Sequence, residues 1–316
     1  IAITSTSWLG VWMGLEINLL SFIPLMTDTK NTLSTEASLK YFLIQVLASA
    51  TLLFSIILMF TLSNPLTSSI LIYQTLICSA LLLKMGAAPF HFWFPATMEG
   101  LSWKNCFILM TWQKIAPLML LAYIIEMNIF ISMIIVTSVL IGSLGGLNQS
   151  SLRKLMAYSS INHIGWMISA MVIGENIWEL YFLIYMLLSL SIILLFNTYC
   201  TYHINQHFLT MTHNRPTKSC MFLLLLSLGG LPPFLGFFPK WLIIQTMVDN
   251  NYQLIVIIMI IMTLITLFYY LRLTFLAFLF SYTETKFMLP NSLTPFFLTT
   301  LTLTSLSTLG LPICSI

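Results

Sequence analysis

Apolar residues run through this chain in blocks of about twenty or more, parted by short polar breaks. A block of that length is what a helix needs to cross the hydrocarbon of a bilayer. Reading block by block predicts ten spanning helices, at about 7–26, 35–60, 68–94, 103–124, 127–147, 151–173, 177–202, 219–247, 251–280 and 293–313. Ile1 to Thr6 leaves room for the stub of an eleventh, and the isoleucine start points to a non-standard start or to missing residues. The expected fold is an all-α polytopic membrane protein, one transmembrane domain over 1–316. Its N-terminal half falls at about 7–147, its C-terminal half at about 151–280, and its terminal helix at about 293–313.

The cations test that count, because basic residues collect on the side from which a membrane protein inserts. Every second connection carries them at or just inside the adjoining helix: Lys30 and Lys40, then Lys104, then Arg153 and Lys154, then Arg215 and Lys218, then Lys286. The intervening connections hold Glu126, Glu175, Glu179 and Asp249 instead. A wrong number of helices would scramble this alternation, so the basic loops define the inside.

One phrase occurs twice. "GAAPFHFWFP" fills 86–95 and "GLPPFLGFFP" fills 230–239, matching Gly86 with Gly230, Pro89 with Pro233, Phe90 with Phe234, Phe94 with Phe238 and Pro95 with Pro239. With ten spans the two copies lie on helices of opposite direction, the mark of an inverted repeat. Proline lacks a backbone donor and crowds the preceding turn, so Pro89 and the pair Pro232 and Pro233 are expected to break their helices within the bilayer. Broken helices persist there only when buried in protein or lining water.

Charges inside the blocks are the candidate chemistry. Glu16 and Lys114 fall midway along the first and fourth spans, and Lys84 and Lys240 stand beside the two predicted breaks. An ionised group at that depth costs at least ~2.5–3.5 kcal/mol on insertion scales, so such residues face the protein interior and mark ion or proton paths. Lys40, Lys104, Arg153, Lys154 and Arg272 are near enough to the basic face to snorkel. Glu36 and Lys40 form an ordinary (i, i+4) helix pair. His91, within the first copy, and His163 in "SSINHIGW" fit either helix packing or a proton relay. Burial favours neutral lysine and a nearby carboxylate favours the charged form. A unit pair ~7 Å apart at an effective dielectric near 20 interacts by ~2.4 kcal/mol, enough for separation of the pair to loosen a proton.

Composition narrows the classes. A chain that is 59% hydrophobic and 7% charged, with mean hydropathy +0.96, cannot cover a soluble surface. Its net charge of +3 is dispersed, without a basic run for nucleic acid, so the expected partners are lipid and other apolar chains. The five cysteines have no CxxC spacing and the five histidines are scattered, so neither a metal site nor an iron-sulfur site is expected. No Walker loop, strand-bounded GxGxxG or HExxH occurs, so no nucleotide or flavin cofactor is expected on this chain.

"WMGLEINLLSFIPLM", "LLLKMGAAPFHFWFP", "TWQKIAPLML", "LNQSSLRKLMAYSSINHIGWM" and "LGGLPPFLGFFPKW" resemble, nearly word for word, subunit 2 of mitochondrial NADH:ubiquinone oxidoreductase, respiratory complex I. The match runs from about Trp8 to Arg272 and is highly specific, and the tail after Tyr282 is less distinctive. Low charge and 19 methionines also resemble a chain encoded in an animal mitochondrial genome, an arthropod's among the candidates. The resemblance implies an antiporter-like membrane-arm module without a redox centre of its own. FMN, iron-sulfur clusters and ubiquinone are then expected elsewhere in the complex, other membrane-arm subunits and phospholipids as partners, and the mitochondrial inner membrane as location, basic loops in the matrix. It further implies that Glu16 of "GLE" pairs with Lys84, that Lys114 of "WQK" is the central relay, and that Lys240 of "PKW" is the outlet-side proton carrier. Related antiporter modules have more helices, and animal members of the family are similarly shortened at the N-terminus. A self-sufficient cation/proton antiporter sharing the repeat is the alternative.

The topology carries its own test. Reagents confined to the basic side of the membrane should label Lys218 and Lys286, and Glu175 and Asp249 should be reached only from the other side. Lys218 and Asp249 on one face would refute the helix count.

Overall fold

The structure is a computed structural model and describes residues 1–28, 30–61, 67–206, 215–279 and 295–314. Lys286 lies outside the described residues, as do the side chains of Arg215, Lys218 and Glu175. The elements are α1 (Trp8–Met26), α2 (Thr32–Thr61), α3 (Thr67–Met85), α4 (Trp93–Gly100), α5 (Trp103–Met110), α6 (Trp112–Ala122), α7 (Ile129–Gly146), α8 (Leu152–Ile173), α9 (Glu175–Thr198), α10 (Arg215–Gly229), α11 (Phe237–Asp249), α12 (Gln253–Leu279) and α13 (Pro295–Cys314). Among the described residues the only extended pairing is a single bridge between Ser151 and His203. The chain divides within α7 into two compact units, Ile1–Ser138 and Val139–Ile316.

In the first unit α2 packs against α1, α3 and α4. Its sequence is arranged inside out relative to a soluble helix. Ser34, Ala37, Ser38, Tyr41, Gln45, Ala48, Ser49, Leu52, Ser55 and Ile56 form the buried stripe, while Leu39, Phe42, Leu43, Leu47 and Phe54 point outward. Lipid tails are as apolar as leucine, so helices in a bilayer bury small and polar residues to bring backbones close and turn large apolar ones to lipid. The serine hydroxyls on this stripe are satisfied locally: Ser49 donates to Val46 at 2.8 Å and Ser55 to Leu52 at 2.6 Å, each to a carbonyl three residues back. Aromatic edges complete the contact, with Phe22 against Tyr41 at 5.4 Å and Tyr41 against Trp93 at 5.8 Å between ring centres.

In the second unit α9 takes the central place, packed by α8, α10, α11 and α13. Among the described residues six helical stretches are long and apolar enough to cross a membrane, namely Trp8–Met26, Thr32–Thr61, Trp103–Ala122, Ile129–Gly146, Asn176–Thr198 and Gln253–Phe275. α8 is absent from that set for a physical reason. It carries Arg153, Lys154, Asn162, His163 and several serines, and from Ser159 to Met171 every residue is buried. Covered by α9, α11 and α12, it is solvated by protein and not by lipid, so it needs no apolar surface.

The third and eighth predicted spans are interrupted, at 86–92 and 230–236. α3 stops at Met85, before Pro89 is reached, because Gly86 takes a left-handed φ of 75° and caps the helix; Gly230, at φ 82°, does the same for α10 ahead of Pro232 and Pro233. The hydrogen bonds of the two caps repeat in register. The N–H of Gly86 reaches the carbonyl of Leu83 at 3.2 Å and that of Ala87 reaches Leu82 at 3.1 Å; Gly230 reaches Ser227 at 3.1 Å and Leu231 reaches Leu226 at 3.4 Å. That pair of bonds is the Schellman motif, which consumes carbonyls a stopped helix leaves bare. Each re-entry matches too, Phe94 donating to His91 at 2.9 Å and Phe238 to Leu235 at 3.2 Å. The repeated phrase thus encodes a repeated backbone.

The fourth predicted span, expected to be continuous over 103–124, is interrupted at Thr111 (φ −118°, ψ −70°) between α5 and α6. Pro117 has no N–H for the Gln113 carbonyl and crowds it. The turn before it tightens, with Lys114 donating to Thr111 three residues back at 3.1 Å.

Substituting alanine at Gly86 or Gly230 should cost about 1–2 kcal/mol for the left-handed backbone alone. At Gly230 the new Cβ would stand 2.9 Å from Lys240 Nζ, so the lysine end has to shift as well. The readout is the temperature at which the assembled protein loses the subunit from the membrane; unchanged thermal stability for both variants would remove the glycine caps from the account.

Candidate functional site

The first unit gathers Glu16, Lys84 and Lys114. Lys84 lies in the last turn of α3 and is 7% exposed, and half-buried Glu16 on α1 stands within electrostatic range of its ammonium. The end of α3 is closed by side chains as well as by its glycine: Gln45 of α2 donates its amide to the Lys84 carbonyl at 3.2 Å, and the Trp93 indole donates to the Leu83 carbonyl at 3.2 Å. Lys114, on the turn tightened by Pro117, is 1% exposed, and its Nζ lies 4.9 Å from the centre of the Phe94 ring. Phe94 belongs to the repeated phrase, so the re-entry after the first break supplies an aromatic face to the central lysine, a contact that favours a cation. Asn18 donates to the Gln113 side chain at 2.7 Å, tying α1 near Glu16 to α6 beside Lys114. His91 sits inside the break, 5% exposed, its Nδ1 3.3 Å from the Pro89 carbonyl and its ring against Phe92.

The second unit holds Lys240 and His163. Lys240, one turn into α11 and 6% exposed, turns its ammonium back onto the end of α10 and donates to the carbonyls of Gly229 at 2.9 Å and Leu228 at 3.4 Å. Those carbonyls are the negative end of the α10 dipole, so a cation is favoured there. The Trp166 ring of α8 lies 6.0 Å from Nζ. His163 Nδ1 meets the Tyr181 hydroxyl at 2.8 Å, and a small cavity between them and the break is lined by His163, Tyr181, Tyr185, Leu228, Gly236 and Pro239. By contrast Lys104 is exposed, and the Glu36–Lys40 pair, 3.6 Å apart, is largely in the open.

Sequence reasoning passed over Gln45, Trp93, Asn18 and Tyr181. Gln45 had a signal, an amide alone within "YFLIQVLASA", and an amide in an apolar span marks an inward hydrogen bond. Tyr181 had none, because its meeting with His163 depends on how α9 packs on α8.

A membrane bundle with two glycine-capped breaks and lysines buried beside them defines an antiporter-like class, and residues 5–266 match the model of the NADH:quinone oxidoreductase/Mrp antiporter transmembrane family. In fold the chain is similar to a subunit of respiratory complex I from Thermus thermophilus, with TM-score 0.83 over 98% of this chain and 74% of that one at 23% identity. It is likewise similar to a chain of the Mrp complex from a Dietzia species, with TM-score 0.71 over 84% of this chain and 55% of that one at 18% identity. The NADH-ubiquinone oxidoreductase chain 2 of Anopheles gambiae is 58% identical over 92% of this chain and 86% of its own length. That of Locusta migratoria is 46% identical over 100% and 92%, and that of Xenopus laevis 41% identical over 90% and 84%. The chain belongs to the NADH-ubiquinone oxidoreductase chain 2 family, within the antiporter-like class, and is an integral membrane protein.

Replacing Lys240 by leucine removes the donor from the Gly229 and Leu228 carbonyls. Amide exchange at 228–231 should rise by roughly tenfold, the scale of one lost hydrogen bond, while exchange at 84–87 stays as it was. Equal exchange at both breaks in the variant would separate Lys240 from the helix end.

Proposed function

We propose that this chain is a proton-translocating subunit of the membrane arm of a mitochondrial NADH:ubiquinone oxidoreductase, coupling electron transfer from NADH to quinone with movement of protons through buried glutamate and lysine. The observation that carries the reading is the placement of Lys84, Lys114 and Lys240, at 7%, 1% and 6% exposure, among buried apolar neighbours on their own helices, Leu81 and Leu82 on α3, Leu118 and Leu121 on α6, and Ile243 and Met247 on α11. A charge kept at such cost marks an ion or proton path.

The parts divide by chemistry. Glu16 is the carboxylate partner of Lys84 in this reading, and moving the two apart is the step that frees a proton. Lys114 is the central relay, poised between an aromatic face that favours its charge and burial that opposes it. Lys240 is the outlet-side carrier, its proton held by the carbonyl end of α10. His91 and His163 are further relay positions, the latter through the Tyr181 hydroxyl. In this reading the chain carries no redox group; FMN, iron-sulfur clusters and ubiquinone belong to other subunits, and its neighbours are membrane-arm subunits and phospholipid in the inner membrane, basic loops toward the matrix. A self-sufficient cation/proton antiporter would use the same breaks. Co-purification with flavin- and iron-sulfur-containing subunits separates the two.

The test is NADH:quinone turnover and proton uptake by sealed vesicles, with the amount of assembled enzyme, in a tractable host carrying the homologous subunit. Lys114→Met keeps the apolar stem and removes the titrating group, so assembly should persist while uptake falls by roughly tenfold or more. Lys114→Arg should also impair it, since guanidinium does not release its proton at working pH. Lys104→Met should change little, because that ammonium already sits in the open. Normal uptake by an assembled Lys114→Met enzyme would remove this residue from the path.

A further inference from the structure

The two breaks share their backbone but not the donors that close them. Aligned on their glycines, Lys84 occupies the place of Leu228, and the carbonyl at that place needs a donor in each copy. In the second copy the donor is the ammonium of Lys240, a group that titrates. In the first copy it is the amide of Gln45, contributed by α2, 4% exposed and never charged. A carbonyl only accepts, so the amide nitrogen faces Lys84. The Trp93 indole, also neutral, closes the adjoining Leu83 carbonyl. The first helix end is therefore capped whatever the protonation of its lysine.

We infer that Gln45 is a positioning residue for proton transfer at Lys84: its amide holds the end of α3 so that the Lys84 ammonium faces Glu16, the task that Lys240 performs with its own charge at the second break. The inference rests on the reading of Glu16 and Lys84 as a proton-handling pair. Without the amide, the Lys84 carbonyl loses its side-chain donor and the end of α3 that carries Lys84 is free to shift from its place beside α2. Gln45 touches no proton in transit and acts only through Lys84.

The experiment is a double-mutant cycle in the intact enzyme of a host carrying both residues, reading assembled enzyme and proton uptake in sealed vesicles. The variants are Gln45→Met, which keeps length and loses the donor, Glu16→Gln, and the two together. Gln45→Met should assemble and lower uptake by roughly tenfold, the scale of one buried hydrogen bond. Combined with Glu16→Gln it should add no further loss, because the amide's effect passes through that pair. Losses that multiply in the double variant, or normal uptake in Gln45→Met beside impaired uptake in Glu16→Gln, would overturn the role of Gln45 and leave the pathway standing. Normal uptake in Glu16→Gln would overturn the pathway reading itself, and this inference with it. Should Gln45→Met fail to assemble, Gln45→Leu, apolar and without a donor, takes its place in the same cycle with the same outcomes.

Discussion

A carbonyl left bare where a helix stops inside hydrocarbon has no water to turn to, and the organisation of this protein follows from how that need is met. Each break is closed first by its own backbone, through the left-handed glycine at 86 or 230, and then by a side chain reaching in from a neighbour. An unsatisfied polar group in lipid costs several kcal/mol, so neither layer is optional. The demand also explains where the polar residues are. Gln45 and Trp93 sit at one helix end and Lys240 at the other, while serines such as Ser49 and Ser55 close upon their own helices.

The same geometry gives the buried cations their partners. A lysine ammonium can lie at membrane depth near a carboxylate, an aromatic face or the carbonyl end of a helix: Lys84 has Glu16 within electrostatic range, Lys114 the Phe94 ring, and Lys240 both the end of α10 and the Trp166 ring. The broken helices thus bring helix ends, aromatic faces and cations together inside an apolar body.

Most of the helices were legible because polar residues punctuate the apolar blocks. The lysines were legible because they stand out against leucine. What the repeated phrase did not disclose was that glycine ends each helix before proline is reached; both residue types break helices, and only the sign of φ distinguishes their parts. The interruption at Thr111 was hidden because its cause, Pro117, lies six residues further on and acts back through the tightened turn. Gln45 and Tyr181 escaped since their importance lies in partners 39 and 18 residues away, which only packing supplies.

The central claim is that these buried lysines change protonation while the enzyme turns over. Infrared difference spectroscopy on the intact enzyme, labelled with heavy-nitrogen lysine and compared at rest and during NADH oxidation, addresses it directly. The account predicts isotope-sensitive ammonium bands that appear and disappear between the two states. Lysine bands that stay constant while the same preparation pumps protons would contradict it.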